Sequence, residues 1–124
     1  MSRVNLGPAE AIPKGQVAGF QIRLWGPDGP HVTGPSVVGG PGDTIPVAVA
    51  HTRDDRWYAI GDLCSHGPVR LSEGALEGCN VECWSHGSRF DLATGQPVNF
   101  PATDPVPTYP VGLQDGAVYI EIGA

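Results

Sequence analysis

The chain has 124 residues, enough for one compact domain with one modest core. Its formal charge is −6, and Lys14 is its single lysine, so it lacks the basic face that nucleic-acid binding requires. No apolar run is long enough to cross a bilayer, and the opening MSRVNLGPAEAIPKG shows neither the basic cluster nor the apolar stretch of a secretory signal, so a cytoplasmic protein without membrane partners is expected.

With 18 glycines and 13 prolines there is little room for helices, and no i, i+3, i+4 apolar stripe is present. GPAEAIPKG holds one short helical turn at most. QVAGFQIRLW (16–25) reads as the first strand. From 26 to 46, GPDGPHVTGPSVVGGPGDTIP is so rich in glycine and proline that a long exposed insertion loop is expected, unable to sustain a ladder. Strands follow at PVAVAHT (46–52), RWYAI (56–60), NVECW (80–84), SRFDL (88–92), PTYPVGL (107–113) and AVYIEI (117–122), with turns at RDD (53–55) and ATGQP (93–97). In the last strand Val118, Ile120 and Ile122 share one face. Asp115-Gly116 before it is a two-residue hairpin signal. Trp25, Trp57 and Tyr58 are expected to pack on sheets. His31, in the loop, and His51, at a strand end, have no cysteine or second histidine nearby and read as ordinary surface or packing residues. The fold class is all-β: a small antiparallel β-sandwich or barrel, a single domain over 1–124.

One element is nearly repeated. Cys64-Ser65-His66-Gly67 returns as Cys83-Trp84-Ser85-His86-Gly87, with one residue added between cysteine and histidine. Two such pairs on facing tight turns can converge on one ion or cluster, and Gly67 and Gly87 suit a backbone that turns closely around it. Three chemistries could use the set: a structural zinc site, a nucleophilic Cys–His pair that leaves the second pair unexplained, or a [2Fe–2S] cluster with two cysteines on one iron and two histidines on the other. Cys79, outside the motif, reads as a small turn or buried residue. Three cysteines cannot complete a disulfide framework.

The flanks narrow the choice. WYAIGDLCSHG, LSEGALEG, VECWSHGSRFDLATGQP and PATDPVPTYPV resemble the bacterial Rieske ferredoxins, especially the ferredoxin subunits of phenylpropionate/cinnamate-type and other ring-hydroxylating dioxygenases. The resemblance is good over 46–122, loose over the first 25 residues and absent over 26–46. It implies a Rieske fold whose cluster-binding part spans about 61–110, built on two loops. It also implies one [2Fe–2S] cluster bound by Cys64 and Cys83 on the inner iron and by His66 and His86 on the outer. The proline-rich stretch 101–110 would cover it, since proline stiffens a lid and removes backbone donors.

Neutral imidazoles leave such a cluster less negative than four thiolates would, which raises its potential from about −400 mV to roughly −150 to +300 mV. Respiratory Rieske proteins add a loop–loop disulfide, whose positions here are Val69 and Ser85, and a serine and a tyrosine that donate hydrogen bonds to cluster sulfurs. Ser88 keeps the first donor and Phe90 replaces the second, which implies a potential toward the low end. Trp84 would either shield the cluster or meet a partner; Arg70 and Arg89 would aid docking or simply be solvated.

The resemblance implies a soluble one-electron carrier, not an enzyme. It would take electrons from a flavin-dependent NAD(P)H reductase and give them to a ring-hydroxylating type oxygenase, with no small-molecule substrate of its own. The small subunit of a nitrite reductase and a redox partner in iron–sulfur assembly are alternatives within the family. A zinc-binding interaction module is the alternative from another class.

Overall fold

The computed structural model describes residues 2–27, 29–65, 67–85 and 87–122. Three antiparallel sheets account for them. The central sheet has the order β3-β2-β4-β5-β9, from β2 (Gln16–Arg23), β3 (His31–Pro35), β4 (Thr44–His51), β5 (Trp57–Gly61) and β9 (Thr108–Tyr109). One small sheet is β1-β11-β10, from β1 (Ser2–Pro8), β10 (Val111–Gln114) and β11 (Ala117–Ile122). The other is β6-β7-β8, from β6 (Ala75–Glu77), β7 (Asn80–Glu82) and β8 (Arg89–Asp91). Among the described residues helix is confined to two 3-10 turns, Ala9–Ala11 and Leu71–Glu73.

β4 explains the layering. Paired on both edges, by β2 and β5, it is also covered on both faces. Val47 and Val49 point into a core shared with Val4, Leu6, Ile22, Val118, Ile120 and Ile122. Ala48 and Ala50 point into a second core with Leu71, Val81, Phe90 and Leu92. Successive residues of a strand face opposite ways, so the run VAVA serves two layers at once. Its neighbour β5 does the same with Ala59 and Ile60. The alternation expected in β11 buries all three of Val118, Ile120 and Ile122, and the hairpin before it has positive φ at Asp115 (53°) and Gly116 (78°).

The segment 26–46 departs from expectation. It is not a free loop: β3 pairs with β2 from Arg23↔His31 to Phe20↔Pro35. β3 is an edge strand, so only one side of its backbone needs partners and the flanking prolines are tolerated there. The stretch that follows is tied down by the buried Gln21, whose Oε1 accepts the Val37 N–H (2.9 Å) and whose Nε2 donates to Thr44 Oγ1 (2.8 Å). Arg23 pairs with Asp43 at 2.7 Å.

Other expectations needed smaller corrections. Trp25 is 61% exposed rather than packed as expected, whereas Trp57 and Tyr58 are half-buried. PTYPVGL divides at Pro110 into β9, which joins the central sheet, and β10, which joins the small one. β1 and β6 had no clear signal of their own. His31 is exposed, and His51 is a packing residue. The His51 ring stacks on Trp57 (3.9 Å between centroids), with Nδ1 2.7 Å from the Ile12 carbonyl oxygen and Nε2 2.6 Å from Asp55 Oδ1.

Candidate metal centre

The two halves of the repeated motif fold alike. The first lies between β5 and the Leu71–Glu73 turn and is closed by a bridge between Leu63 and Arg70. Within it the Cys64 N–H donates to the Val69 carbonyl (2.8 Å), and the Gly67 N–H to the Cys64 carbonyl (3.1 Å). The second half is the loop joining β7 to β8, held by the pairs Glu82↔Arg89 and Val81↔Phe90. There the Cys83 N–H donates to the Ser88 carbonyl (2.7 Å), and the Gly87 N–H to the Cys83 carbonyl (3.0 Å). Each cysteine therefore heads a loop that returns onto it five residues later. In the second loop Gly87 has a φ of +76°, which only glycine adopts without strain. Gly67 has no such conformation, so the shared glycine answers a geometric need in one loop only.

Both cysteines are withdrawn from solvent, Cys64 at 5% and Cys83 at 1% exposure, and both belong to the apolar cluster that also holds Phe90, Leu71, Ala102 and Val106. Two thiols nineteen positions apart thus share one dry environment without forming a disulfide. His66 and His86 lie outside the described residues. Cys79 is exposed in the turn between β6 and β7, away from the two loops.

The proline-rich stretch closes over the pair. Ser65 Oγ donates to the Asp104 carbonyl (2.6 Å), and the Ala102 N–H donates to Ser88 Oγ (2.9 Å). Asn99, passed over in the sequence, joins the same frame: its Nδ2 donates to the Gly87 carbonyl (3.0 Å) and its Oδ1 accepts the Arg89 N–H (2.6 Å). Only its place just before Phe100-Pro101 could have drawn attention to it. Ser88 is buried and accepts the Ala102 N–H through a lone pair, which leaves its own proton to donate. Phe90 is fully buried and brings no hydroxyl to the cysteine cluster.

The outer rim is different. Trp84 is 61% exposed, its Nε1 donating to Glu73 Oε2 (3.2 Å), and Phe100 and Val98 are 78% and 53% exposed. Arg70 is engaged by Glu73 and by the Ser36 carbonyl, and Arg89 by Glu77 and Glu82, so neither guanidinium stands unpaired for docking.

Comparison with known proteins agrees with this frame. The model of the Rieske [2Fe-2S] domain matches residues 4–110. The chain belongs to that family. A Rieske relative from Escherichia coli K12, the 3-phenylpropionate/cinnamic acid dioxygenase ferredoxin subunit, is 44% identical over 81 residues, 64% of this chain and 76% of that one. Among solved structures, the Sphingomonas yanoikuyae B1 ferredoxin superposes with a TM-score of 0.75 at 27% identity, covering 98% of this chain and all of the other. A chain from the complex of reduced oxygenase and oxidised ferredoxin in carbazole 1,9a-dioxygenase gives 0.72 at 30% identity, covering 95% of this chain and 91% of that one.

A Rieske domain carries one [2Fe–2S] cluster, and the chain's donors suit it: two buried thiols in matching loops, among apolar side chains. No helix among the described residues is long and apolar enough to cross a membrane.

Proposed function

We propose that this Rieske protein is a cytoplasmic ferredoxin that carries single electrons from a flavin-dependent NAD(P)H reductase to a terminal ring-hydroxylating oxygenase. Cys64 and Cys83 bind one iron of its cluster, and His66 and His86 the other. The observation that carries this reading is the burial of both cysteines in one apolar cluster at equivalent positions of two equivalent loops. The ferredoxin subunit names of its relatives point the same way.

When bound, the cluster takes up and returns one electron. The chain's own residues control the surroundings. Leu71, Phe90 and Val106 exclude water from the cysteine sulfurs. Ser88 has a hydroxyl proton to offer toward them, and its bond with the Ala102 N–H fixes where that hydroxyl sits. The stretch 101–110, anchored at Ala102 and Asp104, covers the loops. Trp84 of the second loop, with Val98 and Phe100 of the stretch that follows β8, are exposed apolar side chains against which an acceptor would seat.

Purified without exposure to air, the protein should hold two irons and two acid-labile sulfides per chain and give an EPR signal only when reduced. A colourless, zinc-loaded protein would overturn the reading. Trp84→Ala should slow electron transfer to a ring-hydroxylating oxygenase about tenfold or more, as loss of an exposed aromatic anchor does, with the midpoint potential unchanged. An unaltered rate would remove Trp84 from the acceptor surface.

A further inference from the structure

Two residues before Cys64 stands Asp62, with no exposure at all. Its carboxylate accepts three hydrogen bonds: at Oδ1 from the Ser72 N–H (2.7 Å), and at Oδ2 from Ser72 Oγ (2.8 Å) and from Ser36 Oγ. Its backbone is equally engaged, the N–H donating to the Pro46 carbonyl (3.1 Å) and the carbonyl accepting the Leu71 N–H (2.6 Å). The first ligand loop begins at Leu63 and ends at Arg70. Asp62 lies immediately before that loop and Leu71 and Ser72 immediately after, so one side chain ties its two ends together.

The clasp reaches into segment 36–43. Ser36, only 1% exposed, supplies one hydroxyl to Asp62, and its carbonyl accepts Arg70 Nη1 (2.7 Å) from the far end of the same loop. β2 is shaped around this group. A Cβ on Gly19 would collide with Ser36 Oγ and come within 2.6 Å of Asp62 Oδ2 and of Ser72 Oγ. Gly19 pairs regularly with Ala48 and lacks a positive φ, so it is glycine for space rather than for backbone freedom. A buried carboxylate is costly unless its oxygens are hydrogen-bonded, and here three donors from two residues far apart in the chain, Ser36 and Ser72, serve them.

We infer that Asp62 is a positioning residue for the cluster: with Ser36, Ser72 and the clearance at Gly19 it locks the base of the Cys64 loop, and the 26–46 segment serves the redox centre through Ser36. The inference rests on the ferredoxin reading. Its test uses the cluster-loaded protein, so that a wild type without a cluster would sink that reading, and a loaded wild type leaves the clasp to be judged by itself.

Ser36→Ala and Gly19→Ala are compared with Ile120→Val, a control in the core on the other face of β4. The readouts are thermal midpoint, bleaching rate of visible absorbance under a chelator, midpoint potential and reduced-state EPR. Ser36→Ala should bleach about tenfold faster than the control, because losing a hydrogen bond to a buried charge favours local opening of the loop. Its potential should rise, since water admitted to the pocket favours the more negative reduced state. Gly19→Ala should reproduce both changes although it removes no hydrogen-bonding group. Where one of these variants does not fold, Ser72→Ala takes its place. Bleaching and potential equal to the control, at matched thermal midpoint, would show that the network is merely structural and overturn the inference.

Discussion

The two faces of β4 look onto two differently built cores. On one, Val47 and Val49 meet the aliphatic side chains of β1, β2 and β11, strands held by ladders that are interrupted only locally, as at Leu6 of β1. On the other, Ala48 and Ala50 meet cysteines, a phenylalanine and short loop residues, held by individual hydrogen bonds such as Ser65 to Asp104 and Ala102 to Ser88. The loops proposed to hold the cluster lie on that face, and loop tips that must point at metal cannot be ladder-bonded along their length. The first core should therefore stand without the cluster, and the second should depend on it.

The sharpest way to break this contrast is to remove a ligand. Cys83→Ala should abolish the cluster, with iron and sulfide falling to background, while Cys79→Ala should keep both, since Cys79 is exposed in a distant turn. Hydrogen exchange on the cluster-free protein should then show β7 and β8 opening while β1, β2 and β11 stay protected. Loss of protection in all three sheets together would show that the two cores are one cooperative unit.

The reverse cut is made in the other core. Ile120 is fully buried among Val4, Val47 and Ile22, so Ile120→Ala should cost about 2–5 kcal/mol of stability. The midpoint potential of the cluster that remains should not move, because nothing near the cysteines changes. A potential shift would mean that strain crosses β4 from one face to the other.

A finer comparison asks what the phenylalanine in the cysteine core leaves out. Phe90→Tyr would place a hydroxyl in the cluster of buried residues that contains Cys64 and Cys83. A donor to a cysteine thiolate stabilises the reduced state more than the oxidised one. Such a bond is worth roughly 1.5–3 kcal/mol in total, and only the difference between redox states counts, so a rise of a few tens of millivolts is expected. Electrode titration of both proteins at one pH measures it; an unchanged or lower midpoint with an intact cluster would refute it.

How legible each core was follows from the same contrast. The aliphatic core announced itself, because alternation in AVYIEI and the run VAVA are local patterns that a strand converts directly into faces. The proposed ligands stand out in the sequence as a repeat with a family likeness; of the four, the two cysteines lie in one cluster, and His66 and His86 lie outside the described residues. What was not legible is what holds the loops. Asp62 finds Ser36 twenty-six positions earlier, and Asn99 finds Gly87 twelve positions earlier; no periodicity encodes such pairs. The segment 26–46 is illegible in the sequence for a related reason. Its composition describes how weakly it would fold alone, whereas β3 is ordered by the edge of β2 and by Gln21.

The smallest expected effect tests the aliphatic core by pH alone. Tyr109 of β9 packs against that core, and burial raises its phenol above the ordinary value of 10.0. In the unfolded chain the phenol ionises near that ordinary value; in the fold it keeps its proton to higher pH. Unfolding therefore releases a proton once the pH exceeds 10.0, and the stabilisation due to the neutral phenol, complete below that point, is lost as pH rises through the folded value. Tyr109→Phe has no proton to lose. The thermal midpoints of wild type and variant should run parallel below pH 10 and diverge above it, the wild type falling faster, with tyrosinate absorbance rising as it unfolds. Bleaching of the cluster over the same range should be equal in the two proteins, because Tyr109 belongs to the other face of the sheet. Parallel midpoints through the alkaline range would mean that the phenol is as well solvated in the fold as in the unfolded chain.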